Sequence, residues 1–169
     1  MNIQTQRRID AWIGPLLCAL ISWWHAWFGS KPDRRQPIQN VLVIMLSEMG
    51  SMVLAGPMFA RIQANHPGAQ VHILQLKRNQ AVARLLGLVP DAHLHGINDT
   101  GLFALLFDLI RVLLQLRRLK FDAVIDCELF SRISALLAYG CGARRLAGFT
   151  PHTQEGLYRG SFFNAPVLY

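Results

Sequence analysis

Between Val41 and Pro57 the chain reads VLVIMLSEMGSMVLAGP: an apolar run stops at a short polar turn holding one carboxylate, Glu48, and resumes as an apolar helix. A strand without polar alternation fits a parallel sheet covered by helices on both faces. Run, turn and helix are read as the first strand, loop and helix of a doubly wound α/β domain. The turn then falls at the carboxyl end of the strand, where ligands bind in open parallel sheets. Glu48 and its neighbours are the first candidates for chemistry.

The alternation continues along the chain. Val71 to Leu76, His93 to Ile97, Phe121 to Cys127 and Arg145 to Phe149 read as further strands. Ser51 to Asn65, Gln80 to Leu86, Leu102 to Leu119 and Ser131 to Tyr139 read as helices, with turn signals at Pro67, Gly68, Gly87 and Gly140. Right-handed crossovers turn such a series into a Rossmann-like parallel sheet with helices on both faces. A length of 169 residues holds one ordinary domain and an appendage, not two full domains. The divisions are an apolar helix over 1–29, a basic linker over 30–39 broken by Pro32 and Pro37, and the α/β domain over 40–169.

Ala11 to Phe28 contains no charge, and about 18 helical residues reach roughly 27 Å, just short of the hydrocarbon thickness. On a helical wheel Trp12, Leu16, Trp23 and Trp27 share one side; Gly14, Cys18, Ser22 and His25 form a small, weakly polar stripe opposite. Arg7 and Arg8 before the segment, and Lys31, Arg34 and Arg35 after it, give no orientation by the positive-inside rule. A membrane-associated helix lying in the interface fits this symmetry and the indoles near its C-terminal end. A spanning helix, a cleavable signal peptide and a buried core helix are the alternatives, the signal peptide opposed by bulky residues where small ones should stand.

The formal charge of +7 suggests an anionic partner: nucleic acid, phosphorylated sugar or anionic lipid. Cys18, Cys127 and Cys141 are odd in number and without a C-x-x-C pair, which argues against a disulfide framework and a zinc site and fits a reducing compartment. His66, His72, His93, His95 and His152 lack metal-ligand spacing.

Strand one delivers Ser47, Glu48, Met49, Gly50 and Ser51 to the carboxyl edge, and strand four delivers Asp126, Cys127 and Glu128 to the same edge. In doubly wound order these strands are neighbours, so Glu48, Asp126 and Glu128 are expected to converge on one crevice. A carboxylate there suits a general base taking a proton from an attacking hydroxyl. Capping of the following helix is the other reading of Glu48, and bonding of loop amides is that of Asp126. Gly50 would let backbone amides approach a phosphate, although the turn is neither G-x-G-x-x-G nor a P-loop. Arg144 and Arg145 precede strand five and Arg159 lies in a polar, Gly-containing loop; all three suit bidentate contact with phosphate or carboxylate.

Three segments in order, NVLVIMLSEMGSMVLAGPMFARIQANHPGAQVHIL, RRLKFDAVIDCELFSRISALLAYGCGARRLAGF and EGLYRG, resemble the N-terminal half of family 9 glycosyltransferases, the heptosyltransferase group of lipopolysaccharide assembly. The resemblance runs from Asn40 to Tyr169. It implies half of a GT-B architecture, in which this domain receives the acceptor sugar and a C-terminal domain binds the nucleotide-activated heptose. It further implies inverting transfer without a metal or other cofactor, at the cytoplasmic face of the bacterial inner membrane. The implied partners are a nucleotide-sugar donor, an acidic glycolipid acceptor and the membrane surface, with no nucleic acid. Two departures stand out. The family's turn ends in Gly-Asp, that Asp being its proposed base, whereas Gly50 is followed by Ser51. The family's Asp-x-Gln-Gly in strand four reads Asp126, Cys127, Glu128, Leu129. On this resemblance Glu48 becomes the candidate base, and Ser47, Gly50, Ser51, Asp126, Glu128, Arg144, Arg145 and Arg159 the candidate acceptor contacts. The sequence stops where the family's donor domain should begin, so the isolated chain is expected to be inactive without that domain. A non-catalytic, membrane-tethered binding module or remnant subunit is the alternative.

Overall fold

The computed structural model describes residues 3–28, 36–46, 49–129, 131–150 and 158–168. Helix α1 spans Ile3–Phe28 and is followed by β1 Asn40–Ile44, α2 Met49–Leu54, α3 Gly56–Asn65, β2 Gln70–Leu76 and α4 Gln80–Leu86. Then come β3 Leu94–Ile97, α5 Leu102–Arg118, β4 Ala123–Asp126, α6 Arg132–Gly140, β5 Arg145–Thr150 and β6 Ala165–Leu168. The six strands form one sheet in the order β3-β2-β1-β4-β5-β6, every neighbouring pair parallel.

Period-two alternation divides each central strand between two cores. Leu42, Ile44, Leu46, Leu74, Val124 and Leu146 pack on one face with Val112 and Leu116 of α5 and Ala135, Leu137 and Ala138 of α6. Val41, Val43, Met45, Val71 and Ile73 pack on the other with Met52, Phe59 and Ala83 of α2, α3 and α4. The central strands are largely apolar because both faces are covered, and the parallel sheet matches the one expected from sequence.

Two elements differ from expectation. The single helix expected over Ser51 to Asn65 is two, because Pro57 stands in the first turn of α3; proline lacks the N–H for a continuous helix and suits a helix start. Strand β6 was not anticipated: it is four residues long, exposed throughout and contains Pro166. Proline is tolerated there because an edge strand has donors with no ladder to join.

Helix α1 belongs to the same layer as α5 and α6. Asp10 Oδ1 accepts the N–H groups of Arg132 and Ile133 at 2.9 Å each, so a carboxylate from α1 caps α6 where the helix dipole favours negative charge. Ser22 Oγ accepts from Tyr158 Oη at 3.1 Å and from the Ser161 N–H at 2.9 Å. Gly14, Cys18 and Ser22 are buried while Trp12, Leu16, Trp23 and Trp27 are exposed, as the helical wheel divides them. No helix among the described residues is long and apolar enough to cross a membrane, which corrects the spanning alternative: the uncharged stretch is short and is interrupted by Pro15, Ser22 and His25.

The cysteines are free thiols. Burial pushes Cys18 up to about 11 and Cys127 and Cys141 to about 12, which leaves them unreactive at neutral pH.

Near β2 and β3 three imidazoles gather. His72 stacks on His93 with ring centroids 4.0 Å apart, and its Nδ1 lies 3.0 Å from Nε2 of His95. Burial, with His93 and His95 beside it, holds His72 down at about 4, and burial with His93 lowers His95. Both bind protons more weakly folded than unfolded, so the unfolded chain gains protons first as pH falls below the ordinary value of 6.5. Their stabilising contribution is present above that value and is lost as pH falls toward 4. The urea midpoint is expected to drop across this window, and His72→Gln to flatten the drop; an unchanged profile in that variant would remove His72 as a source.

Candidate functional site at the carboxyl edge

Strands β1 and β4 are adjacent, with Ile44 opposite Asp126, and the chain leaves both at the same edge. One residue there is held from two sides. The Leu46 N–H donates to Glu128 Oε1 at 2.6 Å, while its carbonyl accepts from Asn79 Nδ2 at 2.9 Å. Glu128 is 9% exposed and Asn79 2%, so both bonds are sheltered from water. The end of β1 is thereby tied to the segment after β4 and to the turn after β2.

Ser47 and Glu48, which follow Leu46 directly, lie outside the described residues. Gly50 and Ser51 lie at the start of α2. Among the described residues nothing stands within 4 Å of where a side chain on Gly50 would begin, so their packing does not require glycine there.

Asp126 is 1% exposed and Arg159 2%, and the two form an ion pair. Asp126 also accepts the Glu128 N–H at 3.1 Å and the Ser134 hydroxyl at 3.0 Å. Arg159 donates from Nε to the Ser131 carbonyl at 3.0 Å and from Nη1 to the Phe149 carbonyl at 3.3 Å. Burial pushes Asp126 up to about 6 against the pull of the guanidinium. These two candidate acceptor contacts are thus consumed by one another beneath the edge. The reason is that a charge removed from water needs an opposite charge and filled hydrogen-bonding positions. For Asp126 the loop-amide reading describes the geometry, since its carboxylate holds the Glu128 amide.

Arg144 and Arg145 stand at the opposite edge. Arg145 is in register with Ala123, the first residue of β4, whereas Asp126 is in register with Gly148. Three residues of strand separate the two levels by roughly 10 Å. Arg144 pairs with Asp122, whose carboxylate also accepts the N–H groups of Gln39 and Asn40 at 2.8 and 3.0 Å. Burial alone would raise Asp122, but these amides and Arg144 hold it below its ordinary value. Arg145 donates to the Gln36 carbonyl at 3.0 Å. Arg144 and Arg145, named as candidate acceptor contacts, thus lie at the amino edge of the sheet, away from Glu128, because residues at the start of a parallel strand sit at that edge. Arg144 instead lines a separate cleft of about 460 Å³ with Arg117, Lys120, Asp122 and Gly142.

Sequence reasoning missed Asn79 and Ser134. Asn79 had a signal, a polar residue just past the carboxyl end of β2; Ser134 had only its spacing of three from Ser131, whose hydroxyl accepts the Ser134 N–H and caps α6.

The strand order 3-2-1-4-5-6, with the chain reversing direction across the sheet between β1 and β4, defines a Rossmann-like α/β unit whose ligand crevice belongs at that switch point. Two solved structures have a similar fold. A glycosyl transferase family 9 protein from Veillonella parvula aligns with a TM-score of 0.63 at 17% identity, over 79% of this chain and 37% of that one. The E. coli heptosyltransferase WaaC, solved with ADP-2-deoxy-2-fluoro heptose, aligns with a TM-score of 0.58 at 17% identity, over 77% of this chain and 42% of that one. The chain thus spans about two fifths of the length of the structures it resembles. No protein-family model and no curated protein matches the sequence.

Proposed function

We propose that this chain is the acceptor-side half of an inverting, metal-independent glycosyltransferase that moves a heptose-type sugar from a nucleotide-sugar to lipopolysaccharide or a related cell-envelope glycan. The observation that supports it most is the pairing of a glycosyltransferase-like fold with the acidic segment at the β1–β4 switch point, where Glu128 fixes Leu46 immediately ahead of Ser47 and Glu48. Glu48 is the base that takes the acceptor hydroxyl proton. Ser47, Gly50, Ser51 and Glu128 mark the acceptor end, and Asp126 and Arg159 support it from beneath. The nucleotide-sugar is bound by a separate Rossmann-like half. Helix α1 rests on the membrane through its exposed tryptophans, at the cytoplasmic face of the bacterial inner membrane, which brings the edge toward a glycolipid acceptor.

The test is sugar transfer from ADP-heptose to a lipopolysaccharide-core acceptor, measured with a nucleotide-sugar-binding half present. Glu48→Gln is expected to lower kcat about 10²- to 10⁴-fold, the range for loss of a general base, with little change in KM. An unchanged kcat would remove Glu48 from the mechanism. One observation favours a second reading, a membrane-tethered binding module: Ser51 stands where the resembled family has its aspartate. Calorimetric binding of the core glycan without transfer in any combination would select it.

A further inference from the structure

Helices α1, α6 and α5 run side by side in one direction. Asp10 and Gly14 of α1 meet Arg132 at the start of α6, His25 meets Tyr139 near its end, and Leu113 of α5 meets Gly140. None of the residues of α6 is exposed, so the outer surface of this layer belongs to α1 and α5. On α5, Phe103 is 87% exposed, Phe107 70%, Ile110 62% and Leu114 56%. Steps of three and four residues place them on one stripe. The outer side of a surface helix ordinarily carries polar residues; here the apolar residues face both the core and the outside.

The charges of the layer are sorted as well. Its carboxylates, Asp10 and Asp108, are 12% and 11% exposed and engaged by Arg132 and by Lys77 and Arg111. The exposed charges on α5 are Arg111, Arg117 and Arg118, and Lys120 follows them. An apolar stripe whose exposed charged neighbours on the same helix are all cations matches a surface of acyl chains beneath anionic headgroups. All four tryptophans of the chain lie on α1, and indoles favour the headgroup level. The geometry points to α5 as a second membrane-contacting helix, seated with α1 on an anionic bilayer, the Phe103–Leu114 stripe reaching the acyl boundary and Arg111, Arg117 and Arg118 meeting lipid phosphates. This rests on the proposed membrane contact of α1 and extends it: two helices flanking α6 fix how the domain sits, which one helix would leave free to roll.

The test is co-sedimentation of the full chain with phosphatidylcholine vesicles, with and without phosphatidylglycerol. The paired change Phe107→Ser and Ile110→Ser removes exposed side chains that the core does not use, and circular dichroism checks that the fold is retained. It is expected to weaken binding to anionic vesicles about tenfold or more. Arg117→Gln with Arg118→Gln is expected to remove much of the difference between anionic and neutral vesicles. Wild-type-like binding by the α5 pair, together with loss of binding in Trp23→Ser with Trp27→Ser, would overturn the role of α5 and leave that of α1 standing. Failure of the unaltered chain to bind either vesicle, or its elution as a dimer with this face protected from hydrogen exchange, would overturn both.

Discussion

Arg159→Leu is expected to lower the unfolding free energy by about 3–5 kcal/mol, because it strands a buried carboxylate. Asp126 has no water to turn to, and the Ser131 and Phe149 carbonyls lose their donor with the guanidinium. A loss of that size is a large part of the 5–15 kcal/mol typical of a domain. Urea unfolding measures it. Combining Arg159→Leu with Asp126→Asn removes both charges, and the double variant should lose less than the sum of the two single losses. A single-variant loss below about 1 kcal/mol would mean that the pair carries little of the fold.

Phe162→Ala is expected to cost about 3–5 kcal/mol, the range for emptying a buried aromatic site. Phe162 is fully buried, with Tyr139 of α6 at 5.0 Å and Phe163 at 5.2 Å between ring centroids. Its position depends on Gly160, whose φ of 91° lies where L side chains are strained and whose missing Cβ leaves room for the Phe162 ring. Phe163 makes a similar demand on β5: a Cβ on Gly148 would stand 2.5 Å from its ring. Thermal unfolding of Phe162→Ala should show a lower midpoint with the sheet still formed, and an unshifted midpoint would contradict this packing. The segment 158–164 therefore joins α1, β4, α6 and β5 through Ser22, Asp126 and these two rings.

That segment also shows what was legible in the sequence. Val41 to Leu46 announced itself because a strand buried on both faces is apolar at every position, and Phe121 to Cys127 because its Ala123 to Ile125 centre is. The small stripe of α1 was legible for a similar reason: close helix packing selects Gly14, Cys18 and Ser22 by size. Arg159 was not, since a short Gly-containing stretch with one arginine reads as solvated loop. Only the meeting of residues 33 positions apart makes it a core residue. Glu128 was named as a residue of the carboxyl edge and Asn79 stood just past β2, but their bonds to the backbone of Leu46 were not legible, because a backbone partner leaves no mark in sequence. Arg144 stands just before β5 and Arg145 begins it, but the edge on which they fall follows from strand direction rather than from their charge.

The two bonds on Leu46 have a consequence for how the chemistry of this edge can change. The anchors of the turn are Glu128 and Asn79, on separate elements, and neither is a residue of the turn itself. A substitution at position 48, 50 or 51 therefore touches neither of the side chains that fasten the end of β1. Such an edge behaves like a tool holder with an exchangeable bit: the residues that fasten the strand end and those that form its tip are different ones.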